Sequence, residues 1–435
     1  MRLIGVHRLH YRGGGAESVH LDHLMLFREM GWDCAEFAMQ HPRNEPSAYS
    51  DYFPSGFDPE EGGLLHKARQ VARFIHSTEA RSKFTRLLDD FRPDIIHIHG
   101  LYHHLTSSVL KPALDRGIPL VFTLHDFKLI CPAYHFYTEK RGICEGCGGG
   151  RQYRCLTRQC KEGPIATNAV YALDGLFQWH SGRIRNSIDM FVGPSQSIVD
   201  KFAEHGFPPE KLAYVPNFFE TTDDAPEDPA LVAHLREKYG RFVLYFGRLS
   251  AEKGIDVLLK ACAQASLPIV LVGDGPKRES LMQQAQALGV TADFIGHQSG
   301  SQLWSYVQAA TVIGLASVWY EIAPKSLLEA QARGKVVVAS AIGGLPEMVR
   351  HGDTGFLAPP GDAAALSGAL SRVFAMSETD RLAMGERARQ FARTTFTRQR
   401  YYEGMCAIYD RLLPRAGLLA RHPSPPAEEP LRIAI

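Results

Sequence analysis

Residues 319–334 read WYEIAPKSLLEAQARG. Glu321 and Glu329 stand eight positions apart, with Ala323-Pro324 between them and Leu327, Leu328 and Ala330 supplying an apolar face. Proline suits the first turn of a helix, where its missing N–H would have had no intrahelical partner. The stretch therefore predicts a loop carrying Glu321 and a helix carrying Glu329 in its second turn. A helix N-terminus offers free amide donors and partial positive charge, which suits a phosphate. Carboxylates flanking such a site bind phosphate poorly but accept hydrogen bonds from sugar hydroxyls well. The combination points to a nucleotide-sugar pocket. The plainer reading is two glutamates on an ordinary surface helix.

Upstream, FVLYF at 242–246 predicts a strand that runs into GRLSAEKG at 247–254, with a helix following from Val257. Arg248 and Lys253 then lie on a loop at the strand's carboxyl end. Arginine forks two phosphate oxygens there and lysine adds a mobile point charge; a solvated loop pair is the alternative. Further strands are predicted at 269–272 before GDGP, at 293–296, at 312–314, and at 336–340 before the loop GGLPE. Residues 378–414 read as helical. Apolar strands alternating with helices predict a parallel sheet whose ligand lies beyond the strands' carboxyl ends.

The amino-terminal half repeats the pattern. LIGV at 3–6 predicts a strand, Gly13-Gly14-Gly15 a loop, and the following residues a helix ending near Gly31. Such a loop lets the backbone approach a phosphate or sugar closely, or is merely a flexible turn. Residues 64–92 read as one basic amphipathic helix, either packed on a sheet or leaning on anionic lipid. Strands at 94–100 and 120–125 carry His99 and His125 at their ends, which places His125-Asp126 at the ligand end unless the histidine is buried and structural. A helix over 168–187 and a strand at 190–193 complete this half, and the polar, proline-bounded run 215–226 predicts a hinge.

Composition narrows the function classes. The 435 residues suffice for two domains, and a net charge of +1 argues against a nucleic-acid protein. No run approaches a spanning helix and no signal peptide is apparent, so a cytoplasmic location is expected, at the inner face of the membrane if the basic helix leans on lipid. Histidines crowd the first third, but without helical H-x3-H spacing they do not suggest metal catalysis. Residues 131–160 hold Cys131, Cys144, Cys147, Cys155 and Cys160. Cys144-x2-Cys147 with Cys155 and Cys160 suggests a structural zinc knuckle, Cys131 being an alternative ligand. An iron–sulfur cluster or free thiols are the other readings. Basic residues decorate this insert, which suggests contact with an acceptor or a membrane.

Taken together, GGGAE, the strand endings at His99 and His125, GRLSAEKG, VGDGP, Glu321-x7-Glu329, GGLPEMV and GDTGFL resemble the retaining GT-B glycosyltransferases of family 4. The likeness runs to about residue 410 and is most specific over 243–361. It implies an α/β GT-B fold of two Rossmann-like domains facing across a cleft, with a Cys-rich insert at 131–160 in the first. The implied division is 1–220 for the acceptor-side domain and 221–395 for the nucleotide-sugar domain. A helix at 396–414 would pack back on the first domain, and 415–435 would form a disordered tail. By the same resemblance, Arg248 and Lys253 hold the donor diphosphate, Glu329 binds ribose, and Glu321 contacts the donor sugar. Ala323 and Pro324 line the donor site, His125 lies near the reacting sugar, and Gly14 and Gly15 approach the donor. The implied activity is retaining transfer from a UDP- or GDP-sugar to a glycan or lipid-linked acceptor in cell-surface polysaccharide or glycolipid synthesis, with no cofactor required for catalysis. A nucleotide-sugar epimerase or hydrolase, or a non-catalytic sugar-nucleotide-binding protein, are the alternatives. Ile322, Lys325 and Phe218 depart from the family's usual small residues, so the donor sugar stays open.

Overall fold

A computed structural model describes residues 1–56, 73–161, 163–218 and 226–413. The chain forms two compact units. One comprises Met1–Phe136, Glu145–Asn217 and the segment from Arg398; the other comprises Tyr137–Cys144 and Phe218–Thr397.

In the first unit, β1 (Arg2–His7), β2 (Asp33–Phe37), β3 (Ile95–Gly100) and β4 (Leu120–Thr123) belong to one sheet. The hairpin β5 (Tyr137–Thr138) and β6 (Gly142–Ile143) belongs to the second unit. With β7 (Met190–Gly193) and β8 (Leu212–Tyr214), the first sheet has the order β2-β1-β3-β4-β7-β8, and every pairing is parallel. Helices cover both faces of such a sheet, which is why all six residues of β3 are buried. Two predicted helices are divided. The 168–187 segment breaks into Ile165–Ser181 and Arg183–Ser187 at Gly182, whose φ of +60° ends the first helix. The 378–414 segment breaks into Glu378–Thr395 and Arg398–Leu412 at the change of unit. Of the basic helix expected over 64–92, residues up to 72 lie outside the described residues, and a helix starts afresh at Thr78, where the Ser77 hydroxyl accepts from Ala80 N–H. The tail from 414 likewise lies outside the described residues.

The last helix, Arg398–Leu412, is part of the first unit. Its Tyr401, Tyr402 and Tyr409 are buried and bond to His23 Nδ1, Trp32 Nε1 and His97 Nδ1. These histidines belong to a group of six, in which His7, His20, His23, His97 and His99 are buried and His125 is half-buried. His20 and His23 lie on the helix Gly15–Glu29, and His97 and His99 stack on β3 with ring centroids 4.5 Å apart. Among the described residues, no helix is long and apolar enough to cross a membrane.

The second unit contains β9 (Val243–Phe246), β10 (Ile269–Val272), β11 (Ala292–Gly296), β12 (Val312–Leu315), β13 (Val337–Ser340) and β14 (Gly355–Ala358). Their order is β11-β10-β9-β12-β13-β14, again parallel throughout. The order reverses between β9 and β12. Open sheets of this kind bind ligands beyond the carboxyl ends at such a switch point.

Burial holds the histidine group neutral: His20, His23, His97 and His99 sit well below the ordinary value, His7 is lowered to about 4 and His125 to about 3. In the unfolded chain each titrates near 6.5, so below that pH the unfolded state binds more protons and stability falls as pH falls. Each fully neutralised histidine costs about 2 kcal/mol at pH 5. Urea unfolding of the first unit is expected to shift to a markedly lower midpoint between pH 7.5 and pH 5; an unchanged midpoint would contradict this reading.

Candidate functional site

A cavity of about 200 Å³ opens at the β9/β12 switch point of the second unit. Tyr245 and Phe246 reach it from β9, Gly247, Arg248 and Lys253 from the loop after β9, and Leu315 from β12. Ser317, Glu321, Pro324 and Ser326 add to the wall from the loop and helix after β12, and Leu345, after β13, completes it. The structure thus brings together Arg248, Lys253, Glu321 and Pro324.

Glu321 is 6% exposed. Burial alone would raise its carboxyl, but Lys253 and hydrogen bonds from Ser317 and Trp319 outweigh that and hold it below the usual range. Lys253 Nζ stands 2.7 Å from Glu321 Oε1, Ser317 Oγ donates to the same oxygen at 2.6 Å, and the ammonium lies 5.2 Å from the centre of the Trp319 ring. The buried carboxylate is paired and hydrogen-bonded, which is the condition for keeping a charge out of water. Arg248 remains exposed at the cavity edge, its carbonyl accepting from Tyr245 Oη at 2.8 Å.

The glycines of two motifs shape this wall by letting backbones touch. A Cβ on Gly273, whose φ is +141°, would lie 1.9 Å from the carbonyl oxygen of Gly247. The contact is sealed by Gly247 N–H to Val272 O at 3.0 Å and Leu249 N–H to Asp274 O at 2.9 Å. VGDGP thereby sets the strand-end loop that carries Arg248. A Cβ on Gly343, φ +59°, would lie 2.1 Å from Glu321 O, and the next residue, Gly344, donates to that same carbonyl at 2.7 Å. GGLPE thereby sets the Glu321 loop.

The helix after the loop is Lys325–Ala332 with Pro324 as its N-cap, so Glu329 falls in the second turn as the spacing predicts. Glu329 and Ala323 are half-buried and stand outside the cavity lining. In the first unit His125 follows β4 and its Nε2 lies 2.9 Å from His99 Nδ1. Gly14 is extended and caps the helix Gly15–Glu29, and nothing lies near Gly15 on its side-chain side.

The cysteines divide between the units. Cys144 ends the segment assigned to the second, while Cys131, Cys147, Cys155 and Cys160 are in the first. Cys147 and Cys155 are buried and pack with Cys160, and a hydrogen bond with Cys160, then burial, raises the Cys155 thiol. Among the described residues, the group whose ligand atoms all lie within 4.8 Å of one another is His23, His97 and His99. Of those rings, His23 and His97 already bond the Tyr401, Tyr409 and Thr123 hydroxyls. Of the insert's basic residues, Arg151 and Arg154 donate to the carbonyls of Gly148 and Gly146, and Lys161 lies 4.8 Å from the centre of the Tyr134 ring.

Residues 13–223 match the Glycosyltransferase Family 4 model and residues 231–391 match Glycosyl transferases group 1. The chain belongs to the family 4 glycosyltransferases of GT-B fold. This family member is 30% identical over 244 residues to the lipopolysaccharide 1,2-N-acetylglucosaminetransferase of Salmonella typhimurium, a match covering 51% of this chain and 62% of that protein. It is 32% identical to the D-rhamnosyltransferase WbpZ of Pseudomonas aeruginosa, over 37% of this chain and 48% of that protein. The matches thus span roughly half the length of these curated relatives. Among solved structures, Anabaena HepE in complex with UDP and glucose aligns with TM-score 0.65 at 19% identity, covering 94% of this chain and 100% of that one. The sucrose-phosphate synthase of Thermosynechococcus elongatus aligns with TM-score 0.67 at 19% identity, covering 95% and 99%. At these identities the likeness concerns the fold.

Ser317, Trp319 and Tyr245 were not singled out by sequence. Each acts through a loop conformation that no periodicity encodes, though Ser317 and Trp319 stand only four and two positions before Glu321. Gly343→Ala is expected to cost about 1–3 kcal/mol through the displaced Glu321 carbonyl and the left-handed backbone. Thermal unfolding checks this, and an unchanged midpoint would mean the loop gives way freely.

Proposed function

We propose that the chain transfers a sugar, with retention of anomeric configuration, from a UDP- or GDP-sugar to a glycan or lipid-linked acceptor in cell-surface polysaccharide or lipopolysaccharide synthesis. The observation that carries this reading is the convergence of Arg248, Lys253 and Glu321 on one cavity at the β9/β12 switch point. Arg248 and Lys253 bind the donor diphosphate, and Glu321 orients the Lys253 ammonium and accepts from a sugar hydroxyl. Glu329 takes the ribose diol. The neutral His125 ring is a hydrogen-bond partner for a sugar hydroxyl.

In the reaction, the bond between the anomeric carbon and the leaving phosphate oxygen breaks while the acceptor oxygen bonds to that carbon on the same face. The acceptor's proton passes to the departing phosphate oxygen, so the balance needs no external base. Positive charge builds on the ring and negative charge on the phosphate, and the cations stabilise the latter. The similarity to the lipopolysaccharide 1,2-N-acetylglucosaminetransferase of Salmonella typhimurium supports the surface-glycan acceptor. For the cysteines we propose a structural zinc held by Cys147, Cys155 and Cys160 with Cys131, the alternative ligand, in place of Cys144, which belongs to the other unit; about one zinc per chain is expected by elemental analysis, and none would contradict it.

Arg248→Ala is expected to lower turnover on the order of 10²-fold or more. A rate within a few-fold of the parent would overturn the assignment of leaving-group stabilisation. Proton NMR of the fresh product is expected to show the donor's own anomeric configuration, and an inverted product would exclude the front-face mechanism.

A further inference from the structure

The second unit carries another concave site, at the opposite end of its sheet. Arg241 stands before β9, Thr311 before β12 and Lys335 before β13, whereas the residues of the switch-point cavity follow their strands. A cavity of about 470 Å³ opens there, lined among others by Arg236, Arg241, Thr311, Lys335, Glu378 and Arg381. That volume falls in the range of small-molecule sites, roughly 300–1,000 Å³.

The charge in this cavity is one-sided. Lys335 is 6% exposed, and its ammonium donates to the carbonyls of Gln308 at 2.7 Å and Ala310 at 3.2 Å, at the end of the helix Gly300–Ala309. Arg236 donates to Gln308 O at 3.3 Å, and Arg241 to Val373 O at 3.4 Å. Among the described residues, none of these three has a carboxylate within ion-pair distance. Arg381 has Glu378 at 3.9 Å, and that side chain is 81% exposed. Burial, then the nearby Arg381 and Arg236, lowers Lys335 to about 7, with Glu227 acting in the opposite sense.

Carbonyl capping takes two of the three Lys335 ammonium protons and one N–H each of Arg236 and Arg241, which leaves the other guanidinium donors and the positive charge of all three unmatched. Like charges drawn together without an anion repel, and a phosphate relieves that repulsion while matching the guanidinium fork. We propose that this cavity binds a small ligand through a phosphate or diphosphate group, held by Arg236, Arg381 and Lys335. The site is separate from the donor cavity, and its failure would leave the reading of that cavity untouched.

The test uses the full chain carrying Arg248→Ala, Lys253→Ala and Glu321→Gln, which silences the switch-point cations without leaving the buried Glu321 charge unpaired. Calorimetric titration with inorganic pyrophosphate is expected to show one remaining site. Adding Arg236→Gln, at an exposed position, and Arg381→Gln, at a half-buried one, is expected to weaken it at least ten-fold. Flotation with phosphatidylglycerol vesicles, against phosphatidylcholine, forms the second arm. Binding to those vesicles alone, lost with the two glutamines, would make a lipid headgroup the source of the phosphate. Binding of neither probe, or binding indifferent to the two glutamines, would overturn the proposal. Because Lys335 also caps a helix, Lys335→Met is informative only if circular dichroism matches the parent; pyrophosphate binding as tight as before would then count against the proposal, and weaker binding in its favour.

Discussion

The arrangement of the second unit's site depends on one ion pair, Lys253 with Glu321. A carboxylate this buried is costly unless a cation and hydrogen-bond donors meet it, and removing one partner of such a pair leaves the other stranded. Ser317 and Trp319 supply the donors, and Lys253 supplies the charge. The pair also ties two separate loops together, one following β9 and one following β12. The switch point of the sheet makes that possible: two adjacent strands send their chains away on opposite sides, and the gap between them is bridged by side chains.

The loops themselves are held by contacts between backbones. Gly273 and Gly343 are positions where any side chain would collide with a carbonyl of the site, so the VGDGP and GGLPE motifs are packing requirements before they are anything else. Rigid loops built this way fix charged groups without covering them. The two ends of the same sheet then differ in kind. At the carboxyl ends, cationic and anionic groups are paired around a small cavity; at the amino ends, cations collect around a larger one with only weakly placed acids.

Much of this was legible in the sequence. The strands of the second unit show as short apolar runs, and their endings give Arg248, Lys253 and the Glu321 loop because ligand-facing residues follow parallel strands. The spacing from Glu321 to Glu329 gives a loop followed by a helix. What was not legible follows from tertiary contacts. β2 has Glu36 inside its apolar run, and β8 and β14 are only three and four residues long, so each is fixed as a strand by pairing with a neighbour, β1, β7 or β13. The break at Gly182 needs a left-handed residue that sequence cannot tell from any other glycine. The histidine group was passed over for lack of metal-like spacing, yet its periodicity was present: His20 and His23 are three apart on one helix, and His97 and His99 are two apart on one strand. The separation of Cys144 from the other cysteines arises from the path of the hairpin Tyr137–Ile143, which local spacing does not reveal.

The account stands or falls on where a nucleotide sugar places its diphosphate. A crystal structure of the full chain with UDP-glucose or GDP-mannose bound decides it. Diphosphate oxygens within hydrogen-bonding distance of the Arg248 guanidinium and the Lys253 ammonium are the expected result. A diphosphate seated away from both, with the Lys253–Glu321 pair untouched, would contradict it.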